Sequence, residues 1–279
     1  MSYRITILCE NSVGPISGTL GEHGFSVLIE WQGGALLWDT GQGFTLLHNA
    51  QRMNKNLHEL QLVALSHGHY DHSGGLLPLL RTCGPKQVFG HSSIFSPRYR
   101  NKDTGESLSL GMPYPREYLE GQGARFDLSD QFREIAPHIF LTGQVTRTTD
   151  FETGDSGLYL DRCGCSHDPF DDDQSLVIST ARGLVVLLGC CHAGLINTLE
   201  HVAARTGRRD IHAVVGGTHL GFCSSQQLDQ TVAELRHWQI SRLAVSHCTG
   251  FTAAARLKQE FPAAFQPAQV GYSLELPKP

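Results

Sequence analysis

The sequence predicts an α/β protein in which two mixed β-sheets pack face to face with helices on the outside. Three observations point there. Short β-branched and apolar runs punctuated by glycine recur along the chain. The early runs follow one another through tight turns, as hairpins do. The later runs alternate with segments whose apolar residues fall at helical spacing, and that mixture fits layered sheets with outer helices. At 279 residues, 40% of them hydrophobic and 18% charged, the chain can bury a sizeable core. We read it as one domain over 1–279 with a loop-rich excursion at about 91–130.

Taken in order, strands are expected at "RITILC" (4–9), "FSVLIEW" (25–31) and "ALLWD" (35–39), then a helix at "FTLLHNAQRM" (44–53). A strand "LVALS" (62–66) and a helix "GLLPLLRTC" (75–83) follow. The excursion comes next. It is polar, rich in glycine, proline and serine, and sets Arg98, Arg100, Lys102 and Arg116 beside Tyr99, Tyr114 and Tyr118. A loop this long is either functional or disordered. The basic and aromatic mixture suits a loop that covers a substrate, with a merely solvated excursion as the equal alternative. Beyond it lie strands at "HIFLTG" (138–143), "SLVIST" (175–180) and "GLVVLLG" (183–189), and a helix at "AGLINTLEHVAAR" (193–205). The chain closes with strand "HAVVGG" (212–217), helix "SSQQLDQTVAELRHW" (224–238), strand "RLAVS" (242–246), helix "TAAARLKQEF" (252–261) and strand "YSLEL" (272–276).

Composition excludes several classes. A formal charge of −5 argues against binding along a nucleic-acid backbone, which needs a clustered basic surface. No apolar run approaches the roughly 20 residues that cross a bilayer. The start "MSYRITILCENSVG" lacks the basic and apolar regions of a signal peptide, so a cytoplasmic protein is expected. The 8 cysteines are scattered, which speaks against a disulfide framework. "CGC" at 163–165 lacks the second half of a structural zinc site and is expected to be a turn with free thiols.

The chemistry gathers where apolar runs end. "LLWDTG" ends in Asp39, "LVALSHGHYDH" delivers His67, His69, Asp71 and His72, and "VVLLGCCHAG" delivers Cys190 and His192. "AVVGGTHL" adds His219 and "LAVSHCTG" adds His247. Side chains just past the carboxyl ends of strands converge on one rim of an α/β sheet. His67 and His69, two apart, project the same way from extended backbone and can chelate one ion. Asp71 and His72 follow as the chain bends, directed toward a second. We expect Gly68 to relieve crowding between the histidines, and Gly74 and Gly75 to let the chain turn into the helix. Imidazole with carboxylate suits zinc, iron or manganese rather than calcium or magnesium. Taken alone, Asp39 or His192 is better read as a cap or turn residue, whereas the HxHxDH unit is not, because capping needs only one such side chain.

With these residues in place, the chain resembles the metallo-β-lactamase superfamily. The blocks "EHGFSVLIE", "LLWDTGQG", "LSHGHYDHSGG", "DDQSLVI", "LLGCCHAGLINTL", "VVGGTHL" and "SHCTG" resemble the subfamily named for 7,8-dihydropterin-6-methyl-4-(β-D-ribofuranosyl)aminobenzene-5′-phosphate synthase. The resemblance implies an αββα sandwich with a dinuclear metal site at one edge, holding two divalent transition-metal ions, zinc foremost, with manganese or iron as alternatives. It implies His67, His69 and His192 for the first ion and Asp71, His72 and His247 for the second. Asp39 would orient a ligand from behind, as would Cys190. The chain departs from the family at two places. Asp172 and Asp173 stand where many members carry a histidine, and Cys190 with His192 stands where they carry a bridging aspartate, so the bridging group is open.

The expected activity is a metal-dependent hydrolase in which a metal-bound hydroxide attacks a small, phosphorylated or ester-type substrate. Asp71 and His219 would be catalytic, His219 by protonating the leaving group, although metal ligation or packing are also open to it. Arg98, Arg100 and Arg116 would meet an anionic substrate group. The alternatives are a synthase displacing pyrophosphate and a non-catalytic metal- or ligand-binding protein. No nucleic-acid or membrane partner is expected.

Overall fold

The computed structural model describes residues 2–277 apart from Asp103 and Gly105. The first half contains β1 (Ser2–Cys9), β2 (Ser26–Trp31), β3 (Gly34–Trp38), α1 (Leu46–Arg52), β4 (Leu62–Ala64), α2 (Tyr70–Ser73), α3 (Leu76–Cys83) and β5 (Lys86–Gly90). Then come β6 (Tyr99–Asn101), β7 (Ser107–Ser109), α4 (Arg116–Gly121), β8 (Ala124–Leu128), β9 (Arg133–Ala136), β10 (Ile139–Leu141) and β11 (Leu158–Tyr159). The last part has β12 (Leu176–Thr180), β13 (Gly183–Leu187), α5 (Leu195–Thr206), β14 (Ile211–Gly217), α6 (Ser225–Leu235), β15 (Arg242–Ser246), α7 (Gly250–Glu260), β16 (Phe265–Pro267) and β17 (Ser273–Pro277).

Two seven-stranded mixed sheets carry the fold, ordered β17-β1-β2-β3-β4-β5-β8 and β16-β15-β14-β13-β12-β10-β9. Alternating residues of their inner faces, among them Ile5, Ile7, Val27, Ile29, Leu176, Ile178, Val185 and Val215, form one buried core. Each outer face buries its other alternate set. In the first sheet Leu37, Val63 and Val88 pack with Leu46, Leu76 and Leu80 of the helices. In the second, Val186, Val214 and Leu243 pack with Leu199, Val232 and Leu257. This is an αββα sandwich. Among the described residues no helix is long and apolar enough to cross a membrane.

Strand direction decides which residues share a rim. β3, β4 and β5 run parallel, as do β13, β14 and β15. Their carboxyl ends therefore lie together within each sheet. β1 and β2 are antiparallel, as are β2 and β3, so the end of β1 and the start of β2 reach the same rim as the end of β3. Two cross-sheet contacts lock the rims together. The buried Trp38 indole donates to the Leu188 carbonyl at 3.1 Å, and Gln174 donates from its backbone to Ser66 and from its side chain to Leu65.

The stretch at 91–130 divides in two. β6 and β7 pair with β11 in a small separate sheet, while α4 and β8 complete the edge of the first large sheet. Leu110 of this stretch accepts from the Tyr70 amide and so ties the small sheet to the HxHxDH segment. Cys163 and Cys165 form a disulfide across Gly164, where the sequence led us to expect free thiols. The left-handed conformation of Gly164, φ 73°, folds the turn tightly enough to hold the two Cα atoms 5.4 Å apart.

Candidate metal centre

Asp39, His67, His69, Asp71, His72, Cys190, His192, His219 and His247 all come together where the rims of the two sheets meet. The first three donors sit in one group, with single ligand atoms of His67, His69 and His192 all within 4.8 Å of one another. His67 Nε2 and His69 Nδ1 are 2.9 Å apart. In the second group His72 Nε2 faces His247 Nε2 at 3.2 Å. Asp71 Oδ2 lies 3.3 Å from His247 Nε2 and 3.8 Å from His72 Nε2. Tetrahedral zinc, with Zn–N bonds of about 2.0–2.1 Å, separates its ligand atoms by roughly 3.3 Å. The residues present therefore fit such an ion in type and in spacing.

The hydrogen bonds behind the ligands set which nitrogen faces inward. Asp39 Oδ1 accepts from the Ser66 amide and Asp39 Oδ2 from the Ser66 hydroxyl, each at 2.7 Å. Having spent its proton on Asp39, the Ser66 hydroxyl accepts from His67 Nδ1 at 2.8 Å. His72 Nδ1 donates to Asp39 at 2.7 Å, and His247 Nδ1 to Asn11 Oδ1 at 2.9 Å. These assignments, made from the network, leave an Nε2 lone pair on the neutral rings of His67, His72 and His247 aimed into the site. Both ring nitrogens of His192 and Nε2 of His69 are buried without a hydrogen-bond partner. A protein interior rarely tolerates that unless something else completes them.

Charge follows burial and neighbours. Burial holds His67 and His192 well below the ordinary histidine range and lowers His69 to about 3, so all three are neutral donors at neutral pH. Burial also opposes charge on His72, but Asp39 and Asp71 outweigh it and push it up to about 9. Burial works against the Asp71 carboxylate, yet His72, His23 and His247 around it hold it well below the usual range. His219 is likewise pushed up to about 9 despite burial, by Asp155 and Cys248. Its Nε2 stands 3.9 Å from Asp155, an ion-pair separation rather than a hydrogen bond.

Further residues brace the ligand loops. Asp172 accepts from the Gly68 amide between His67 and His69, and Asp173 from the Ala193 amide beside His192, at 2.8 and 2.9 Å. Glu10 accepts from the His247 amide. Asp39, Cys191, His219 and His247 all have positive φ. Strained backbone at strand ends is a mark of residues held for function. Gly68, Gly74 and Gly75 serve differently from the expectation. Gly74 and Gly75 have ordinary helical φ. At all three, a Cβ would strike backbone carbonyls: that of Ile94 at Gly68, and those of Gln42 and Thr40 at Gly74 and Gly75. Close approach, not turning freedom, requires glycine there.

The arginines separate. Arg98, expected at the substrate, is 1% exposed and bonded to Asp168 at 2.7 Å and Asp172 at 2.6 Å. It is a buried strut behind the ligand loop with no free face for a ligand. Arg116 lies on exposed α4, paired with Glu120 and stacked over Phe126, away from the donors. Arg100 alone of the three lines the cleft over the site, which it shares with His69, Asp71, His192 and Phe222, and there it bonds Asp155 at 3.0 Å. Sequence reasoning missed His23, whose Nε2 lies 3.1 Å from Asp71, together with Glu10, Asn11, Asp155 and Cys248. Strand-end logic overlooks His23 because it precedes β2 rather than following a strand. The antiparallel β2–β3 pairing brings it to the rim.

Two sheets with outer helices and a histidine-rich rim define a class, and comparison with known proteins places the chain within it. The family model of the metallo-beta-lactamase superfamily matches residues 20–154. A crystal structure of a metal-dependent hydrolase of the beta-lactamase superfamily superposes with a TM-score of 0.83 at 30% identity, covering 98% of each chain. This chain belongs to the metallo-β-lactamase superfamily. Among curated proteins it is 28% identical, over 96% of its length and 95% of the relative's, to the 7,8-dihydropterin-6-methyl-4-(beta-D-ribofuranosyl)-aminobenzene-5′-phosphate synthase of Methanocaldococcus jannaschii. It is 29% identical, over 91% of its length and 94% of the relative's, to an uncharacterized protein of the same organism.

Proposed function

We propose that the chain is a metal-dependent hydrolase of small phosphorylated or ester-type substrates, holding one divalent transition-metal ion at His67, His69 and His192 and a second at Asp71, His72 and His247. Zinc is the ion we favour. One observation carries the reading: buried imidazoles converge on the rim with lone pairs and orphaned nitrogens that no protein group uses. The similarity to a metal-dependent hydrolase over the whole chain supports it. Ions bound there supply Lewis acidity and activate water near neutral pH.

The chain's own residues do the rest. Asp39 and Ser66 fix the ring tautomers, and Asp172 and Asp173 hold the loops that carry the rings. Arg100 at the cleft receives an anionic substrate group. His219, held as an imidazolium beside Asp155, gives a proton to the departing group. The test is turnover of a panel of phosphoesters and esters by metal-loaded protein, abolished by chelation and restored by zinc. A fully loaded protein inert toward the whole panel would overturn the reading.

The second reading is a synthase displacing pyrophosphate, favoured by the synthase activity for which the Methanocaldococcus jannaschii relative is named. Pyrophosphate release that depends on an added arylamine, with no release in its absence, would decide for it.

A further inference from the structure

Cys190 stands between the two donor sets. Its Sγ lies within 4.8 Å of a ring nitrogen of His67 and His72, of His192 and His219, and of His247, as well as of Cys248 Sγ. His72 Nε2 is 3.1 Å from it. Because His72 Nδ1 is committed to Asp39, Nε2 is the nitrogen that carries the lone pair in the neutral ring, and the two atoms are then either a thiol donating to a nitrogen or two ligands of one ion. The side chain is 4% exposed. A buried cysteine that only packs behaves as a small hydrophobe. This one is ringed by imidazole nitrogens.

The backbone delivers it there by design of the rim. Gly189 precedes Cys190 two residues past the end of β13, and a Cβ at Gly189 would collide with the Ser66 side chain. The absent side chain lets β13 close against the β4 rim and projects Cys190 into the space between the sets. Cys248, the nearest other thiol, is differently occupied. It accepts from the His219 amide and donates to the Cys190 carbonyl, both at 3.3 Å.

We propose that Cys190, as a thiolate, is a shared ligand of the metal centre, bridging the His67–His69–His192 set and the Asp71–His72–His247 set. The proposal rests on reading this site as a metal centre. Its chemistry balances without an oxidant: the S–H bond breaks, the proton leaves to solvent, sulfur–metal bonds form, and no oxidation state changes. A thiolate bridge also selects among ions, favouring zinc, cobalt and ferrous iron over manganese and magnesium.

Wild-type protein loaded with zinc should show a sulfur scatterer at about 2.3 Å in X-ray absorption. Loaded with cobalt(II), it should show the near-ultraviolet sulfur-to-cobalt charge-transfer band. Cys190→Ser should lose that band and fall below two ions per chain. Cys190→Asp, which restores an anionic bridge through oxygen, should keep two ions without the band, and Cys248→Ser should retain both. Metal bound by nitrogen and oxygen alone would overturn the cysteine assignment while leaving the metal centre intact, as would a band that survives Cys190→Ser or disappears in Cys248→Ser. A folded protein that binds neither zinc nor cobalt would overturn the metal centre, and the bridge with it.

Discussion

Replacing Arg98 by methionine tests whether the basic residues of the 91–130 stretch act on substrate or on structure. Arg98 Nε and Nη2 bond Asp168 and Asp172 at 2.7 and 2.6 Å, and all three side chains are at most 2% exposed. Methionine fills most of the volume and leaves two buried carboxylates without their cation. Removing one partner of a buried ion pair costs about 3–5 kcal/mol. For a chain of this size each kcal/mol lowers the melting temperature by roughly 2–4 °C, so Arg98→Met should melt about 6–20 °C lower. The deficit should depend on pH. Burial already raises Asp172 to about 6 against the opposing pull of Arg98, and without Arg98 its folded-state pKa rises further above the unfolded value. A carboxyl raised in the folded state contributes stability at low pH that is lost as pH rises through the folded pKa. The gap between wild type and variant should therefore widen from pH 5 toward pH 8. Denaturant and thermal unfolding across that range measure it. A variant that melts within about 2 °C of wild type at every pH, yet raises KM for anionic substrates alone, would refute the strut and return Arg98 to the substrate.

Other expectations follow from the same geometry. Asp71→Ala should drop metal content from two ions to one per chain by elemental analysis and abolish turnover, with melting little changed; global unfolding would make the ion structural. Asp39→Asn reverses the acceptor that His72 Nδ1 needs and should weaken metal affinity by roughly 10–100-fold in a chelator competition, unchanged affinity refuting the orienting role. His219→Ala should retain both ions and lower kcat by roughly 10²–10⁴, with partial rescue by substrates whose leaving groups need no proton; loss of an ion would instead move His219 among the ligands. Arg100→Ala should raise KM for phosphorylated substrates by roughly 5–30-fold and Arg116→Ala should not, while equal effects would mean the cleft does not select the anion.

What the sequence revealed and what it concealed divide along one physical line. HxHxDH could be read because its donors are neighbours in the chain, and an extended backbone with period two dictates where they point. The strand cores could be read because hydrophobic alternation is local too. The fate of Arg98 could not, because its partners lie 70 and 74 residues away and only the fold brings them beneath the ligand loop. His23, Glu10 and Asn11 escaped for a related reason. They flank the β1–β2 connection, and only antiparallel pairing shows that this end of the pair shares a rim with Asp39. Asp172 and Asp173 stand where many family members carry a histidine, yet they are taken up by backbone amides and, for Asp172, by Arg98.

On the proposed function, that distribution of acids lets a chain of formal charge −5 offer a site to an anion. The carboxylates nearest the donors are already engaged: Asp39 by Ser66 and His72, Glu10 by the His247 amide, Asp172 by Arg98, Asp173 by the Ala193 amide. The His67–His69–His192 set is neutral, and Asp71 is the anion among the histidines of the other set. With divalent ions in both sets, the local charge of the rim is positive whatever the sign of the surface, because a bound ion dominates the groups around it. On the proposed function, anion affinity then needs few arginines, and of the three that were expected Arg100 is the one at the cleft. The loop arginines are thereby free for other work, and Arg98 spends its charge holding the scaffold on which the histidines sit.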